Sequence, residues 1–167
     1  MPEEDTIIKS SVKHKGFFTF ADLYRFAYDW LKDETGLDVT EDKYGEKLAG
    51  NEKEIDVEWT GEKKLTDYFK IKVKVEFEIK KLKEVEIQQE GKKIKTNQGD
   101  VKITAKGILI KDYDGKFERT AFRKFLRSVY ERWIITSRVD QFEDKVFEDV
   151  DEFLAQIKAW LALEGKR

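Results

Sequence analysis

Three regularly spaced arginines are the first residues that suggest binding chemistry. Arg119, Arg123 and Arg127 recur at every fourth residue, so on a helix they lie along one side. Arg119 and Arg123 fall near the predicted start of that helix, where the helix dipole disfavours cations and a bound anion would offset this. The spacing predicts a site for an anion or an acidic partner. We favour the alternative, pairing within the chain or simple solvation, because an acidic run lies between residues 143 and 152 and exposed ion pairs are frequent.

Aromatic side chains are the second candidate binding group, because the chain contains 12 Phe, 6 Tyr and 4 Trp. On the apolar faces of predicted helices and strands they either fill the core or line a pocket for a ligand. Wide apolar faces usually pack, which favours the core alternative. If a pocket forms, its predicted lining is Tyr24, Tyr28, Trp30, Trp59, Phe77 and Trp133.

Catalytic and metal-binding groups are sparse in this sequence. The single histidine, His14, lies between Lys13 and Lys15 without an orienting partner for a general base, so we expect it at the surface. The absence of cysteine excludes disulfides, thiolate metal sites and cysteine nucleophiles. Asp112 and Asp114 resemble a fragment of a calcium loop, but the later oxygen ligands are missing. We therefore predict no catalytic residue, no metal and no cofactor.

The charge balance limits the classes of partner. The 33 basic and 35 acidic residues nearly cancel to a net charge of -2, so we expect no nucleic acid partner. No segment approaches the roughly 20 apolar residues of a transmembrane helix, and residues 1–5 do not resemble a signal peptide. We expect a cytoplasmic protein with one domain over residues 1–167. Its richness in Lys and Glu is similar to that of small archaeal proteins and favours a heat-adapted source.

The elements that would position these groups centre on residues 67–80. Apolar and charged residues alternate there from Phe69 to Lys80, which predicts a strand with one buried face and one solvated face. We place its end near Lys81, because a strand running on to Ile87 would be unusually long. The other predicted strands are Thr6–His14, Leu37–Leu48, Glu54–Thr60, a hairpin of Glu84–Gln89 with Lys92–Thr96, and a run from Val101 to Ile110 with a bulge at Gly107.

Helical spacing appears at both ends of the chain. One helix is predicted from Thr19, as its N-cap, to about Glu34, with Gly36 as its C-cap. The C-terminal region carries two apolar stripes on different faces, which favours a break near Thr136 and Ser137. The first stripe, expected to cover the sheet, contains Phe122, Phe125, Leu126, Val129 and Trp133, and the second contains Val139, Phe142, Val146, Phe153, Ile157 and Trp160.

The predicted fold class is α+β, with one antiparallel sheet of about six strands. An N-terminal helix and a long or split C-terminal helical region cover one face. From Thr6 to Leu163 this order of elements resembles the helix-grip fold of START-like and polyketide-cyclase-like proteins. The resemblance implies a curved sheet wrapped around the C-terminal helix and an apolar cavity between them. The chain departs from that pattern by having one N-terminal helix instead of two.

Two functional hypotheses remain at this point. The first is a non-catalytic binding module that holds an apolar or amphipathic small molecule between the sheet and the helices. The second is a protein-protein interaction or dimerisation domain that uses the second stripe, residues 138–163. In the second hypothesis that stripe meets another molecule, whereas in a monomer it folds back onto the chain after a turn near Ser137.

Overall fold

The computed structural model describes residues 3–113, 121–129, 132 and 136–165, with all of their side chains except those of residues 121, 127, 136 and 137. This part of the chain contains five strands and three helices. In chain order they are β1 (Glu3–Phe18), α1 (Phe20–Thr35), β2 (Asp38–Ala49), β3 (Glu52–Lys64), β4 (Phe69–Gln89), β5 (Lys92–Lys111), α2 (Ala121–Val129) and α3 (Thr136–Gly165).

The strands form one antiparallel sheet in the order β1-β5-β4-β3-β2, which confirms the predicted class of sheet. The described sheet has five strands rather than about six, because β4 does not end near Lys81 and β5 joins the predicted strands Lys92–Thr96 and Val101–Ile110 into one. Lys81 takes a positive φ of 57°, and the register with β5 shifts between Lys80 and Lys83, after which the pairing resumes. An irregular bend thus joins two segments that the sequence analysis separated. The predicted turn at Glu90 and Gly91 is confirmed, with φ of 51° and 78°.

The alternation along β4 is confirmed by burial. Six inward side chains before the bend at Lys81 are each at most 2% exposed; they are Phe69, Ile71, Val73, Val75, Phe77 and Ile79. Val75 lies at the centre, opposite Trp59 of β3 and Ala105 of β5, both of which are buried. The central strands therefore present one continuous apolar face to the helices.

Helix α1 begins and ends close to the predicted positions, but its N-terminus is capped differently. The side chain of Thr19 makes no capping hydrogen bond; instead Asn97 Oδ1 of β5 accepts one from the backbone N–H of Phe20, at 3.0 Å. At the other end, Gly36 takes a left-handed φ of 75° and its N–H donates to the carbonyl of Lys32, as predicted. A contact 77 residues away in sequence therefore anchors the start of α1 to the sheet.

The helix that covers the sheet beside α1 is α3, and the expectation that the first C-terminal stripe does so is wrong. In α2, Phe122, Phe125 and Leu126 are exposed, whereas α3 packs against β1 and β5. The second stripe is therefore buried within the chain: Val146, Phe153 and Ile157 are 0% exposed, and Val139, Phe142 and Trp160 pack around them. Val150, beside the stripe, is 1% exposed. The predicted break near Thr136 and Ser137 coincides with the start of α3 at Thr136, and of the residues between α2 and α3 the structure describes only Arg132.

Gly107 lies in the sheet directly beneath α3. A Cβ atom there would lie 2.6 Å from Val146 Cγ1 and 2.9 Å from Val150 Cγ2. The predicted bulge lies beside this residue but on β1, where the pairing with β5 shifts between Thr6 and Ile8. The pairing of β5 with β4 continues through Gly107 without a shift. A residue without a side chain is needed at this position because a helix lies directly on it.

Candidate functional site

A cleft of about 540 Å³ lies beside α1, on the side of β2. Its size falls within the range of small-molecule sites, which runs from roughly 300 to 1,000 Å³. Aromatic rings make up much of its wall, and the charged side chains of Arg25 and Asp29 lie among them. The lining residues are Phe20, Ala21, Tyr24, Arg25, Tyr28, Asp29 and Tyr44.

Two tyrosine hydroxyls fix the walls of this cleft. Tyr24 Oη of α1 donates a hydrogen bond to Glu41 Oε1 of β2, at 2.7 Å, and so ties the helix to the edge strand. Tyr44 Oη donates to Glu46 Oε1 at 2.7 Å, and Lys53 Nζ lies 3.4 Å from Glu46 Oε2. The rings of Tyr24 and Tyr44 meet edge to face, with centroids 6.4 Å apart. Both rings are thus held in place before any ligand arrives.

The environment of each hydroxyl favours its protonated form. Burial, and then the hydrogen bond to Glu41, raises the pKa of Tyr24 to about 12. Burial and the hydrogen bond to Glu46 raise the pKa of Tyr44 to about 12 as well. The hydrogen bond from Tyr44 also holds the pKa of Glu46 below its usual value. At neutral pH the cleft therefore carries two hydroxyl donors that are already engaged by carboxylates.

The floor under the cleft is a packed aromatic cluster. The Trp59 ring contacts Tyr24 and Tyr28 edge to face, with centroids 5.1 Å and 5.5 Å apart, and lies 4.8 Å from the Phe77 ring. Trp59 and Phe77 are each 1% exposed. Trp59 Nε1 is buried without a hydrogen-bond partner among the described residues. The indole nevertheless lies close enough to the Tyr24 hydroxyl to oppose part of the rise in the pKa of Tyr24.

Five of the six residues predicted to line a pocket are thus divided among three places. Tyr24 and Tyr28 line the cleft, whereas Trp59 and Phe77 lie in the core below it. Trp30 packs against Phe153 of α3, with centroids 5.7 Å apart, on the other side of α1. Trp133 lies outside the described residues.

Sequence reasoning missed the contribution of β2. Tyr44 lines the cleft, and Glu41 accepts the hydrogen bond from Tyr24. Both residues lie in the segment 38–49, which gave only a weak strand signal. The one signal available was that Tyr44 is the single aromatic residue in a mostly polar segment. Because isolated aromatic residues are common on protein surfaces, this signal alone does not place Tyr44 at a site.

The predicted arginine site receives no test from the geometry. Arg123 is exposed on α2, Arg119 lies outside the described residues, and so does the side chain of Arg127. An anion site formed by the three arginines therefore stays a prediction. Among the described residues, no group of His, Cys, Asp and Glu is arranged to hold a metal ion.

His14 is half-buried rather than exposed at the surface as expected. It faces the core side of β1 opposite Val101, and its Nε2 is buried without a hydrogen-bond partner in the described part of the chain. Its ring meets Phe18 edge to face at 6.1 Å, and its Cε1 lies 3.1 Å from where a Cβ on Gly165 would be. The flanking lysines suggested exposure, but neighbouring residues of a strand face opposite sides, so Lys13 and Lys15 do not determine the environment of His14.

Comparisons with known proteins leave the family of this chain open. No protein-family profile matches the chain, and no curated protein does. The chain is similar to a solved structure described as an uncharacterized protein from Rhizobium leguminosarum, with 6% identity and a TM-score of 0.20. That similarity covers 93% of this chain and 99% of the other. A TM-score this low does not establish a common fold. None of the helices in the described ranges is long and apolar enough to cross a membrane.

The raised tyrosine pKa predicts a specific loss of stability in alkali. Between pH 10 and about 12, an unfolded tyrosine has lost its proton while Tyr24 in the folded protein keeps it. Stability must then fall as the pH rises through this window, and the contribution is fully present below pH 10. Tyr24→Phe is expected to reduce that fall, measured as the urea midpoint below pH 10 and near pH 12. Tyr28→Phe is the matched control, and an unchanged pH dependence in Tyr24→Phe would contradict the prediction.

Proposed function

We propose that this chain is a non-catalytic binding module for a small amphipathic molecule, held between α1 and the edge of the sheet. The observation that carries the proposal is the cleft of about 540 Å³ whose walls include Tyr24, Tyr28 and Tyr44. Hydrogen bonds to the strand carboxylates hold Tyr24 and Tyr44. Rigid aromatic walls with few polar groups are typical of sites that bind the apolar body of a ligand.

The polar groups of the cleft suggest the orientation of such a ligand. Arg25 and Asp29 are exposed residues of α1 that line the cleft beside the tyrosine rings. A flat apolar body would lie against Tyr24 and Tyr28, and an anionic end would pair with the Arg25 guanidinium. The ligand class is therefore an aromatic or similarly flat molecule with one acidic group.

A naphthalene probe with a sulfonate group, 1-anilinonaphthalene-8-sulfonate, tests this proposal through its fluorescence. Saturable binding to the wild type is expected. Ala21→Trp should weaken it by about tenfold or more, because a bulky ring would occupy the cleft that Ala21 lines. Ala155→Trp, at an exposed position of α3, is the matched control and should bind as the wild type does.

A second variant separates the charge from the shape of the cleft. Arg25→Gln should weaken the sulfonate probe but leave the neutral N-phenyl-1-naphthylamine unaffected. The proposal fails if Ala21→Trp binds both probes normally. It also fails if Phe122→Ser/Phe125→Ser in α2 abolishes the signal, because the probe would then report the exposed face of α2.

The other functional hypothesis, docking through the stripe within residues 138–163, loses its surface in this fold. Phe153 and Ile157 of that stripe are fully buried, and α3 packs against β1 and β5 of its own chain. Folding back therefore accounts for the second stripe without a partner. Dimerisation through this stripe is not proposed.

A further inference from the structure

The solvated face of the sheet contains a cleft that differs in character from the one beside α1. Its volume is about 640 Å³, and it lies across β2, β3 and β4. Its lining includes Lys72 and Lys74 of β4, which alternate with the buried Val73 and Val75 and therefore point away from the core. In all, five lysines and three acids line this cleft. Its wall is thus polar and has an excess of positive charge.

Lys72 does not pair with the carboxylate that lies opposite it. Glu62 of β3 is directly opposite Lys72, but its Oε2 is 2.8 Å from Lys70 Nζ. The next acid in this row, Asp38, is one strand farther away in β2. Lys72 therefore lines the cleft without an ion-pair partner among the described residues.

Lys74 belongs to a row of cations that face one another across three strands. It lies opposite Lys106 of β5, which in turn lies opposite Lys9 of β1. The side chains of directly opposed residues lie on one face with Cβ atoms about 5 Å apart, and like charges in this arrangement destabilise a sheet. On the other side of Lys74 the row continues with the neutral Thr60. None of the three lysines has an ion-pair partner in the part of the chain that the structure describes.

The lysine face formed in this way consists of four residues: Lys9, Lys72, Lys74 and Lys106. Acidic residues limit it on two sides. Beyond Lys74 the next outward residue of β4 is Glu76, which lies opposite Glu58 of β3. Across the cleft, Asp38 and Asp42 of β2 belong to its lining. An extended polyanion would meet these carboxylates as well, whereas a compact anion would contact only the lysines. The surface therefore fits a small, highly charged anion.

We propose that the lysine face binds a small anion that carries two or more phosphate groups, with Lys72 and Lys74 contacting it from the wall of the cleft. A lysine ammonium is a compact charge with three donors, which suits phosphate oxygens. A phosphate group carries a charge of at most about −2 at neutral pH, so a single group cannot neutralise four ammonium groups. A bound oligophosphate would also offset the repulsion within the row of Lys9, Lys74 and Lys106.

Isothermal titration calorimetry with inorganic tripolyphosphate tests this site. At about 0.15 M NaCl, where distant surface charges are largely screened, saturable binding to the wild type is expected. Inorganic phosphate should bind about tenfold or more weakly, because a single group neutralises fewer of the lysines. Lys72→Gln/Lys74→Gln should weaken the binding of tripolyphosphate by about tenfold or more, since it removes two ammonium groups that line the cleft.

A matched control distinguishes the site from a general effect of charge. Lys92→Gln/Lys93→Gln removes two exposed lysines at the start of β5, outside the lysine face, and should bind tripolyphosphate as the wild type does. Thermal unfolding separates binding from a change in the fold. Tripolyphosphate should raise the Tm of the wild type. Without ligand, Lys72→Gln/Lys74→Gln should melt close to the wild-type temperature, because neither lysine makes an ion pair with a described residue.

Three results would overturn the proposal: a wild type without saturable binding, normal binding by Lys72→Gln/Lys74→Gln, or an equal loss in Lys92→Gln/Lys93→Gln. Vesicles of phosphatidylcholine with phosphatidylserine and a DNA duplex of mixed sequence distinguish other sources of phosphate. If either bound more tightly than tripolyphosphate and through Lys72 and Lys74, the lysine face would belong to that polyanion instead. Tyr44 lies opposite the buried Val57, on the other face of the sheet, so none of these results affects the proposed ligand cleft.

Discussion

Val75→Asp is expected to abolish the cooperative folding of this protein. Val75 is 0% exposed at the centre of β4, between Trp59 and Ala105 on the neighbouring strands. An unpaired carboxylate in this apolar environment costs several kcal/mol, a large part of the roughly 5–15 kcal/mol that stabilises a typical domain. Circular dichroism during heating should therefore show no cooperative transition, or one at a much lower temperature.

The matched control for this variant is one residue away. Lys74 is exposed on the opposite face of β4, so Lys74→Asp introduces the same side chain into water. It should melt close to the wild-type temperature. Equal melting temperatures for Val75→Asp and Lys74→Asp would contradict the division of this strand into a buried face and a solvated face.

Gly107→Leu is expected to have the second largest effect. The first side-chain atom alone would lie 2.6 Å from Val146 and 2.9 Å from Val150, so α3 would have to move away from β5. Overpacking of this kind reaches about 3 kcal/mol, which corresponds to a fall in Tm of roughly 6–12 °C for a chain of this size. The measurement is thermal unfolding followed by calorimetry.

Gly45→Leu tests whether the effect comes from the contact with α3 or from the loss of a glycine. Gly45 is in β2, and a Cβ placed there would meet nothing within 4 Å. We expect only a small change in Tm for this variant. If Gly107→Leu were equally mild, or if the additional change Val146→Ala failed to restore part of its stability, close packing at Gly107 would not be the cause.

The candidate site shows which part of a binding site can be predicted from one sequence. Tyr24 and Tyr28 were predicted because helical spacing puts them beside the buried side of α1. Tyr44 and Glu41 were not predicted, because they reach the cleft only through the pairing of β2 with β3 and the docking of α1 on the sheet. Trp59 and Phe77 carry the same aromatic signal as Tyr24, yet they are core residues, since the helix above them leaves no space.

The cap of α1 likewise depends on long-range pairing. Thr19 has the sequence signature of an N-cap, but Asn97 accepts the hydrogen bond from the first turn. Asn97 reaches the backbone N–H of Phe20 because β1 and β5 pair at this end of the sheet, where Phe18 lies opposite Asn97. A local sequence pattern contains no information about a partner that is distant along the chain.

The sequence by itself determined the two-faced strand, the antiparallel sheet and the helical ends, because periods of 2 and 3.6 residues are properties of the backbone. Only the tertiary structure decided which of the two C-terminal stripes covers the sheet. Both stripes are apolar at helical spacing, but Gly107 lets α3 approach β5 through Val146 and Val150. The face of α2 that contains Phe122 and Phe125 remains exposed. Which stripe covers the sheet depends on how well surfaces distant in sequence fit together. The spacing of apolar residues within one segment does not show this fit.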